Sequence, residues 1–237
     1  GLVSQLTQLV YELGGNILDL DEHVDPEEKM FSIRIAWDMS SVSVDPSSLW
    51  AVFSPLAKKV DATGEIRFLE KRTRVAIFVS KYDHCLNEIL WRYNSGEFPI
   101  EIALIVSNHS DLEALAQQHQ IPFHCLPITQ DTRLGQEKVE LALLEKNNID
   151  TIVLARYMQI LSPAFVDRYL NKIINIHHSF LPAFVGSNPY KQAFQRGVKI
   201  IGATSHYVTN DLDEGPIIAQ DVIRITHRDS LKDLIRK

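Results

Sequence analysis

Residues 75–79 read VAIFV, an uninterrupted apolar run that is rich in β-branched side chains. Such a run is typical of a parallel strand that is covered on both faces. The chain continues with three similar apolar runs, at 100–106, 152–155 and 173–176. Helix-like stretches lie around them at 84–93, 111–119 and 136–147. Because strands that alternate with helices imply βαβ crossovers, the pattern predicts an open α/β domain over residues 74–237 with a mainly parallel sheet.

The last part of this domain has a different pattern. Residues 200–208 and 216–225 are strand-like, and no helix separates them. Consecutive strands joined by a short loop pair in antiparallel fashion, so we expect the sheet to end in an antiparallel portion. Asp111 is predicted to cap the helix over 111–119, and residues 231–237 begin a further helix.

The segment before this domain follows a second pattern. In chain order it contains a helix, two strands, a helix and a short strand, predicted over 2–13, 16–20, 30–37, 45–60 and 65–70. Asp45 and Pro46 supply the N-cap and the first position of the second helix. One strand before Gly1 would complete a ferredoxin-like β-α-β-β-α-β unit, so we infer that a strand is lost or not recorded there. With the polar linker 72–74 as the boundary, the sequence predicts two domains, 1–71 and 74–237.

Composition and charge exclude several classes of protein. The 237 residues carry a formal net charge of −6, which argues against a strongly basic nucleic-acid binder. The two cysteines, Cys85 and Cys125, are too few for a disulfide framework and fit a reducing compartment, so we expect a cytoplasmic protein. No apolar run approaches the roughly 18 residues needed to cross a bilayer. We therefore expect neither a nucleic-acid nor a membrane partner.

The common cofactor and hydrolase motifs are missing from the sequence. No two glycines have the spacing G-x-G, which removes the dinucleotide fingerprint, and there is no Walker A loop. G-x-S-x-G and H-E-x-x-H are also absent. The acidic segment over 21–29 matches no calcium loop, and we interpret it as a solvated turn between two strands rather than a metal site.

A pair of polar residues at the end of one predicted strand could carry chemistry. Asn175 and His177 are two positions apart, so on a strand they face the same side, with Ile176 buried opposite. An amide beside an imidazole can stabilise an oxyanion. Asp213 or Asp211 from another loop could hold the imidazole or a water. The spacing alone leaves two interpretations open: an acyl-transfer or hydrolysis site without a nucleophilic side chain, or ordinary structural side chains.

Three motifs carry a resemblance to a known family. They are NIHHSFLPAFVG at 175–186, HYVTNDLDEGPII at 206–218 and LARYMQIL at 154–161. With them the chain resembles the folate-dependent formyltransferase superfamily and, within it, the formyltetrahydrofolate deformylase family. The resemblance implies a formyltransferase-like catalytic domain over 74–237. The segments GLV at 1–3 and GNI at 15–17 resemble an ACT regulatory module, which is implied for 1–71 with its first strand missing.

The resemblance also assigns roles to individual residues. It implies a catalytic site of Asn175, His177 and Asp213. In this assignment the catalytic acid is Asp213 and not Asp211, and it favours the imidazolium form of His177. Folate contacts, largely through the backbone, are implied for two segments. The first is Tyr157, Met158, Gln159, Ile160 and Leu161, and the second is Thr209, Asn210, Asp211 and Leu212. No metal and no separate cofactor are implied, because 10-formyltetrahydrofolate is the substrate.

The activity that the resemblance implies is hydrolysis of 10-formyltetrahydrofolate to tetrahydrofolate and formate, which supplies formate and balances one-carbon folate pools in purine biosynthesis. Residues 80–85 contain no glycine, so the phosphorylated amine acceptor of related transferases has no evident phosphate loop. Formyl transfer to a small amine is the alternative, and a binding-only folate or amino-acid sensor is another. The ACT resemblance further implies a homo-oligomer and an amino-acid effector.

Other side chains close to these motifs also have ordinary structural interpretations. Lys81 and Arg156 could meet the glutamate tail of a folate, and His178 could line the pocket. Cys85 is interpreted as a small packed residue, and Cys125, on a short strand, as part of the core.

Overall fold

The computed structural model describes residues 1–69, 71–129, 132–184 and 188–237, without the side chains of residues 133 and 134. The chain divides into two compact units, Gly1–Glu70 and Lys71–Lys237. No helix in the described part of the chain is long and apolar enough to cross a membrane.

The first unit is built from two helices and a hairpin. Helix α1 (Leu2–Glu12) is followed by the antiparallel strands β1 (Asn16–Asp25) and β2 (Met30–Asp38). Both strands are longer than predicted, because the acidic residues after position 20 continue β1 instead of forming a turn. Their charge is partly met across the hairpin, where Arg34 of β2 pairs with Asp19 and with Asp21, the latter at 3.0 Å.

The second helix of this unit begins as the sequence predicts. The carboxylate of Asp45 accepts a hydrogen bond from the Ser47 amide at 2.8 Å and caps a 3₁₀ turn, Pro46–Ser48. Helix α2 (Leu49–Lys59) follows directly. Its buried Phe53 packs against Trp37 of β2, with ring centroids 5.7 Å apart.

The prediction of a short strand over 65–70 is wrong for the residues that the structure describes. Residues 65–69 form no strand, and Glu70 lies outside the described residues. The alternation of Ile66 and Phe68 with charged residues resembles a strand, but no other strand pairs with it here. Leu69 is 87% exposed, and Arg67 pairs with the nearby Glu65 at 2.6 Å.

The second unit contains a seven-stranded sheet in the order β5-β4-β3-β6-β7-β8-β9. The strands are β3 (Thr73–Val79), β4 (Ile100–Ser107), β5 (Phe123–Cys125), β6 (Thr151–Ala155), β7 (Ile173–His177), β8 (Ile200–Tyr207) and β9 (Ile217–Arg224). β3 to β7 are parallel, whereas β8 and β9 pair in antiparallel fashion. The prediction of a mainly parallel sheet with an antiparallel end is confirmed. Thr73 and Arg74, predicted as linker, begin β3.

The position of β3 in the sheet explains why its sequence is continuously apolar. Ala76 and Phe78 belong to a hydrophobic cluster on one face of the sheet, and Val75, Ile77 and Val79 belong to a cluster on the other. Each residue of β3 from Val75 onward is therefore buried, whichever way its side chain points. Cys125, which was expected in the core, is exposed at the edge strand β5.

The described part of this unit contains helices that connect the strands or follow them: α3 (His84–Asn94), α4 (Glu113–Gln118), α5 (Arg133–Lys146), α6 (Pro163–Arg168), α7 (Pro189–Arg196) and α8 (Leu231–Arg236). The predicted cap at Asp111 is wrong. The N-cap of α4 is Leu112, without a side-chain hydrogen bond, and the Glu113 amide donates to the Ser110 carbonyl instead. α6 and α7 were not predicted, because both are short and begin at a proline.

Candidate active site

Strand β7 and its antiparallel neighbour β8 bring three polar side chains together. Asn175 of β7 lies directly opposite His206 of β8 in the strand register. The amide nitrogen Nδ2 of Asn175 lies 3.2 Å from Nε2 of His206. His177, two positions further along β7, is 6% exposed, whereas Ile176 between them is only half-buried. The strand thus places Asn175 and His177 as their spacing predicts.

Asp213 reaches this cluster from the loop between β8 and β9. Its Oδ1 lies 3.5 Å from Nδ1 of His177 and 3.8 Å from Nε2 of His206. Because β8 is antiparallel, its end at Tyr207 lies beside Ile174, away from the carboxyl end of β7. The loop must therefore turn back to deliver its carboxylate, which the rule for parallel strands does not predict.

Gly215 holds the base of this loop against β8. A Cβ atom at this position would lie 1.8 Å from the Tyr207 carbonyl oxygen, which no side chain could tolerate. The neighbouring Pro216 carbonyl accepts a hydrogen bond from the Tyr207 amide at 2.9 Å. The glycine in the sequence DEGP therefore permits the close approach that carries Asp213 back towards His177.

His177 is subject to two opposing influences on its charge state. Burial lowers its pKa, and the Asp213 carboxylate and the Phe184 backbone oppose that effect without overcoming it. Asp213 thus favours the imidazolium as the sequence predicts, whereas burial in the resting protein disfavours it. The buried Nε2 of His177 has no hydrogen-bond partner among the described residues. The described residues therefore leave the hydrogen-bonding capacity of this atom unused.

His206 is a site residue that the sequence reasoning missed. It is 2% exposed and touches both Asn175 and Asp213. Its Nδ1 lies 3.0 Å from the Tyr207 carbonyl, which fixes the tautomer with the proton on Nδ1. In the neutral ring Nε2 then accepts from the Asn175 amide, which leaves the second N–H of that amide free to donate elsewhere. The histidine that begins the HYVT motif was the available signal.

The first segment predicted to contact folate, 157–161, joins β6 to α6. Tyr157 is buried, and its ring meets the edge of Phe78 at 5.2 Å, whereas Met158 and Ile160 are each 58% exposed. Hydrogen bonds to the surrounding elements hold the segment. The Met158 amide donates to Ser80 Oγ at 3.1 Å, the Tyr157 hydroxyl to Glu140 at 3.2 Å and the Ser162 amide to Glu137 at 2.9 Å.

Glu140, below this segment, is an unusual carboxyl group. It is 1% exposed, and its Oε2 has no hydrogen-bond partner in the described structure. Burial raises its pKa to about 7, and the nearby Glu137 adds to that shift. A substantial fraction of Glu140 is therefore protonated at neutral pH, which suits a carboxyl group without a cation beside it.

The second predicted segment, 209–212, precedes Asp213. Thr209 Oγ1 donates to the Asp211 carbonyl at 3.1 Å, and Asn210 Nδ2 donates to Asp167 of α6 at 3.1 Å. Asp211 and Leu212 are exposed. The segment is thus fixed by its own turn and by α6. Val185 and Gly186, which end the NIHH motif, lie outside the described residues.

The remaining candidates lie on the other side of His177. His178 packs against the His177 ring at 5.5 Å between centroids, and Nη1 of Arg156 lies 3.0 Å from His178 Nδ1. Cys85 is half-buried, and Lys81 is exposed. In the described part of the chain no group of three or more His, Cys, Asp or Glu side chains could hold a metal ion.

Comparison with known proteins identifies the family. A formyl transferase family model matches residues 73–237. The chain is 53% identical over 237 residues to the formyltetrahydrofolate deformylase of Synechocystis sp., covering 100% of this chain and 83% of the relative.

Solved structures agree with this relationship. The crystal structure of a formyltetrahydrofolate deformylase from Pseudomonas syringae has a TM-score of 0.96 and 38% identity, covering 100% of this chain and 79% of that one. A phosphoribosylglycinamide formyltransferase from Bacillus halodurans matches with a TM-score of 0.65 and 34% identity over 69% of this chain and 86% of its own. The chain therefore belongs to the formyl transferase family and, within it, to the formyltetrahydrofolate deformylases.

Proposed function

We propose that this protein is a hydrolase that converts 10-formyltetrahydrofolate and water into tetrahydrofolate and formate. Its deformylase relatives support the reaction. The observation that carries the proposal is the buried cluster of Asn175, His177 and Asp213, in which Nε2 of His177 has no partner of its own. Such an arrangement can meet the charge that develops when a formyl carbon becomes tetrahedral.

The proposed mechanism starts with water held by Asp213. The carboxylate accepts a proton from the water as its oxygen attacks the formyl carbon, and the carbonyl oxygen becomes an oxyanion. The free N–H of Asn175 donates to this oxyanion. The proton taken from the water then passes from Asp213 to Nδ1 of His177, because the restored carboxylate and the negative oxyanion both favour the imidazolium. Nε2–H of His177 donates a hydrogen bond to the oxyanion.

Collapse of the tetrahedral intermediate completes the reaction. The bond between the formyl carbon and N10 breaks, and N10 receives a proton from His177. The products are tetrahydrofolate, formate and one proton, so no side chain is changed and no covalent enzyme intermediate forms. His206 takes no part in bond changes in this scheme, but it fixes the orientation of the Asn175 amide.

We propose that the pterin of the substrate lies against residues 157–161 and 209–212. The first segment is held by Ser80, Glu137 and Glu140 and the second by Asp167, so their backbone groups are fixed in advance. Fixed backbone donors and acceptors lower the entropy lost on binding. No metal or further cofactor enters the proposed reaction.

Formyl transfer to a small amine is the second candidate, and the loop after β3 argues against a phosphorylated acceptor. The resemblance to the transferases implies a glycine-rich phosphate loop there, whereas residues 80–85 contain no glycine. Ser80 is also occupied, since its Oγ donates to Asn108 at 2.7 Å and accepts from Met158. Water needs no such binding site.

Incubation of the purified protein with 10-formyltetrahydrofolate alone tests this proposal. Formate and tetrahydrofolate should appear in equal amounts, without an added amine and without sensitivity to a chelator. Tetrahydrofolate that forms only after a small amine is added would replace hydrolysis by transfer. Binding of the folate with no turnover under either condition would favour a sensor.

For the first unit we propose an ACT-type module that mediates self-association and binds an amino-acid effector in a cytoplasmic enzyme. The α1-β1-β2-α2 order supports the module. Leu18, Val24 and Met30 of the hairpin are 68%, 61% and 56% exposed, and such apolar side chains favour pairing with a second copy. Light scattering of the protein and formate release with each amino acid added in turn test these proposals.

A further inference from the structure

Arg156 is a cation next to the catalytic cluster that the proposed mechanism does not use. It follows β6 directly, and its backbone lies in the left-handed region at φ 61°, where residues other than glycine are unusual. No ion pair joins it to a carboxylate of the described residues. Its half-buried guanidinium faces the Tyr82 ring at 5.3 Å, and its buried Nε has no hydrogen-bond partner within the described ranges.

The groups around Arg156 are uncharged at neutral pH. Burial and the guanidinium charge lower the pKa of His178 to about 4 and also lower that of His84. Burial raises the pKa values of Cys85 and Tyr190, so both keep their protons. The positive charge of Arg156 thus forms no ion pair in the described part of the chain, although the carboxylates of Asp83 and Asp213 act on the neighbouring His84 and His178. A partly buried cation of this kind attracts an anionic ligand.

The position of Arg156 indicates which anion it meets. His178 contacts it through Nδ1 at 3.0 Å, and its ring packs at a tilt against that of His177, with centroids 5.5 Å apart. One imidazole ring therefore separates the guanidinium from the catalytic histidine. The proposed reaction generates formate at His177. Formate is planar, carries one negative charge and presents two oxygens that match the fork of a guanidinium.

We propose that Arg156, together with His178 and Tyr82, forms a binding site for a small carboxylate, the formate that is released beside His177. The inference rests on the proposed function for the identity of this anion. The positive charge of Arg156 attracts the released formate, whereas the negative charge of Asp213 repels it. A carboxylate of the substrate's glutamate tail has the same chemistry, but the separation by a single ring favours the smaller anion.

Binding of ¹³C-formate to the resting protein tests the site without turnover. Line broadening of the formate signal should report saturable binding to the wild type. Arg156→Met should weaken it by about tenfold or more, as expected for loss of a charge-assisted pair. The matched control is Lys81→Met, which removes an exposed cation from the neighbouring loop and should leave the affinity within about twofold. Equal binding to the wild type and to Arg156→Met, or no binding to the wild type, would overturn the proposal.

A second readout guards against a variant that does not fold. In the wild type, formate should raise the pKa of His178, seen by NMR, because it neutralises the neighbouring guanidinium. Arg156→Lys keeps the charge without the fork and should bind formate with intermediate affinity. A His178 pKa that formate leaves unchanged at saturation would contradict the site.

Substrates with and without the glutamate tail distinguish the two sources of carboxylate. KM for 10-formyltetrahydrofolate and for the glutamate-free 10-formyltetrahydropteroate should respond equally to Arg156→Met. A KM increase confined to the glutamate-containing substrate would assign Arg156 to the tail and overturn the formate assignment. Retained formate binding in a protein that hydrolyses neither substrate would refute the proposed function while leaving the anion site supported.

Discussion

The two sides of the candidate site carry opposite charges next to neighbouring imidazoles. His177 faces the Asp213 carboxylate, and His178 faces the Arg156 guanidinium. Burial lowers the pKa of both rings, but Asp213 opposes the shift at His177, whereas Arg156 adds to it at His178. The two consecutive histidines thus differ in their nearest charge: a carboxylate favours the protonated form of His177, and a guanidinium disfavours the protonated form of His178. The counter-ion, and not the residue type, decides which one can serve in acid–base chemistry.

Substitution of Asp213 should have the largest effect on activity. Asp213→Asn removes the base and the partner of His177, so we expect kcat to fall by at least about 10²–10³-fold with the fold intact. His177→Ala should lower kcat by as much. Steady-state kinetics measure kcat, and circular dichroism shows whether the fold is intact. Glu214→Gln, which removes the adjacent exposed acid, is the matched control and should keep its activity; equal losses in Asp213→Asn and Glu214→Gln would contradict the assignment.

Glu140 sharpens the comparison, because it is buried and forms no ion pair with any of the described side chains. Its pKa is raised from 4.5 to about 7, so the folded state binds its proton more tightly than the unfolded state. Stability contributed by this group is present below pH 4.5 and is lost as the pH rises towards 7. Relative to Glu140→Gln, the wild type should lose about 2–3 kcal/mol between pH 5 and pH 8. Urea unfolding at both pH values measures this, and parallel curves for the two proteins would refute it.

His206 should act through Asn175 and Asp213 rather than on the substrate. His206→Phe leaves the half-buried Asn175 amide without its acceptor, a change that costs about 1–3 kcal/mol, or about five- to 150-fold in kcat if the loss falls on the transition state. Because both residues serve the same donor, Asn175→Ala should add little in a His206→Phe background. A double-mutant cycle on kcat measures the coupling. Fully additive losses would mean that His206 has a separate role.

The smallest expected effects are opposite pKa shifts at the two histidines. Asp213→Asn should lower the pKa of His177 further, because it removes a carboxylate that raises it. Arg156→Met should raise the pKa of His178 from about 4, because it removes a cation that lowers it. NMR titration of the imidazole signals measures both shifts. Shifts of the same sign would break the comparison between the two sides.

Much of the fold can be predicted from the sequence where one physical constraint dominates. The run at 75–79 is apolar because both faces of β3 are covered, and that requirement is local to the strand. The segment 65–69 shows the limit, since its alternation is strand-like but a strand also needs a neighbour. α6 and α7, with 6 and 8 residues, are too short for a helical period to stand out.

The candidate site depends more on contacts between distant segments. Asn175 and His177 could be paired from their spacing on one strand. His206 could not, because its place opposite Asn175 depends on the register of β7 against β8. The lowered pKa of His177 was missed for a related reason: it depends on burial, which the sequence does not show, whereas the sequence shows only that an acid is available.

Isotope transfer from water tests the central claim most directly. The protein is incubated with 10-formyltetrahydrofolate in H₂¹⁸O, without any amine, and the formate is analysed by mass spectrometry. Hydrolysis with Asp213 as the base predicts one ¹⁸O atom in each formate that the wild type releases, and almost no formate from Asp213→Asn. Formate without the label, or labelled formate released equally fast by Asp213→Asn, would contradict the account.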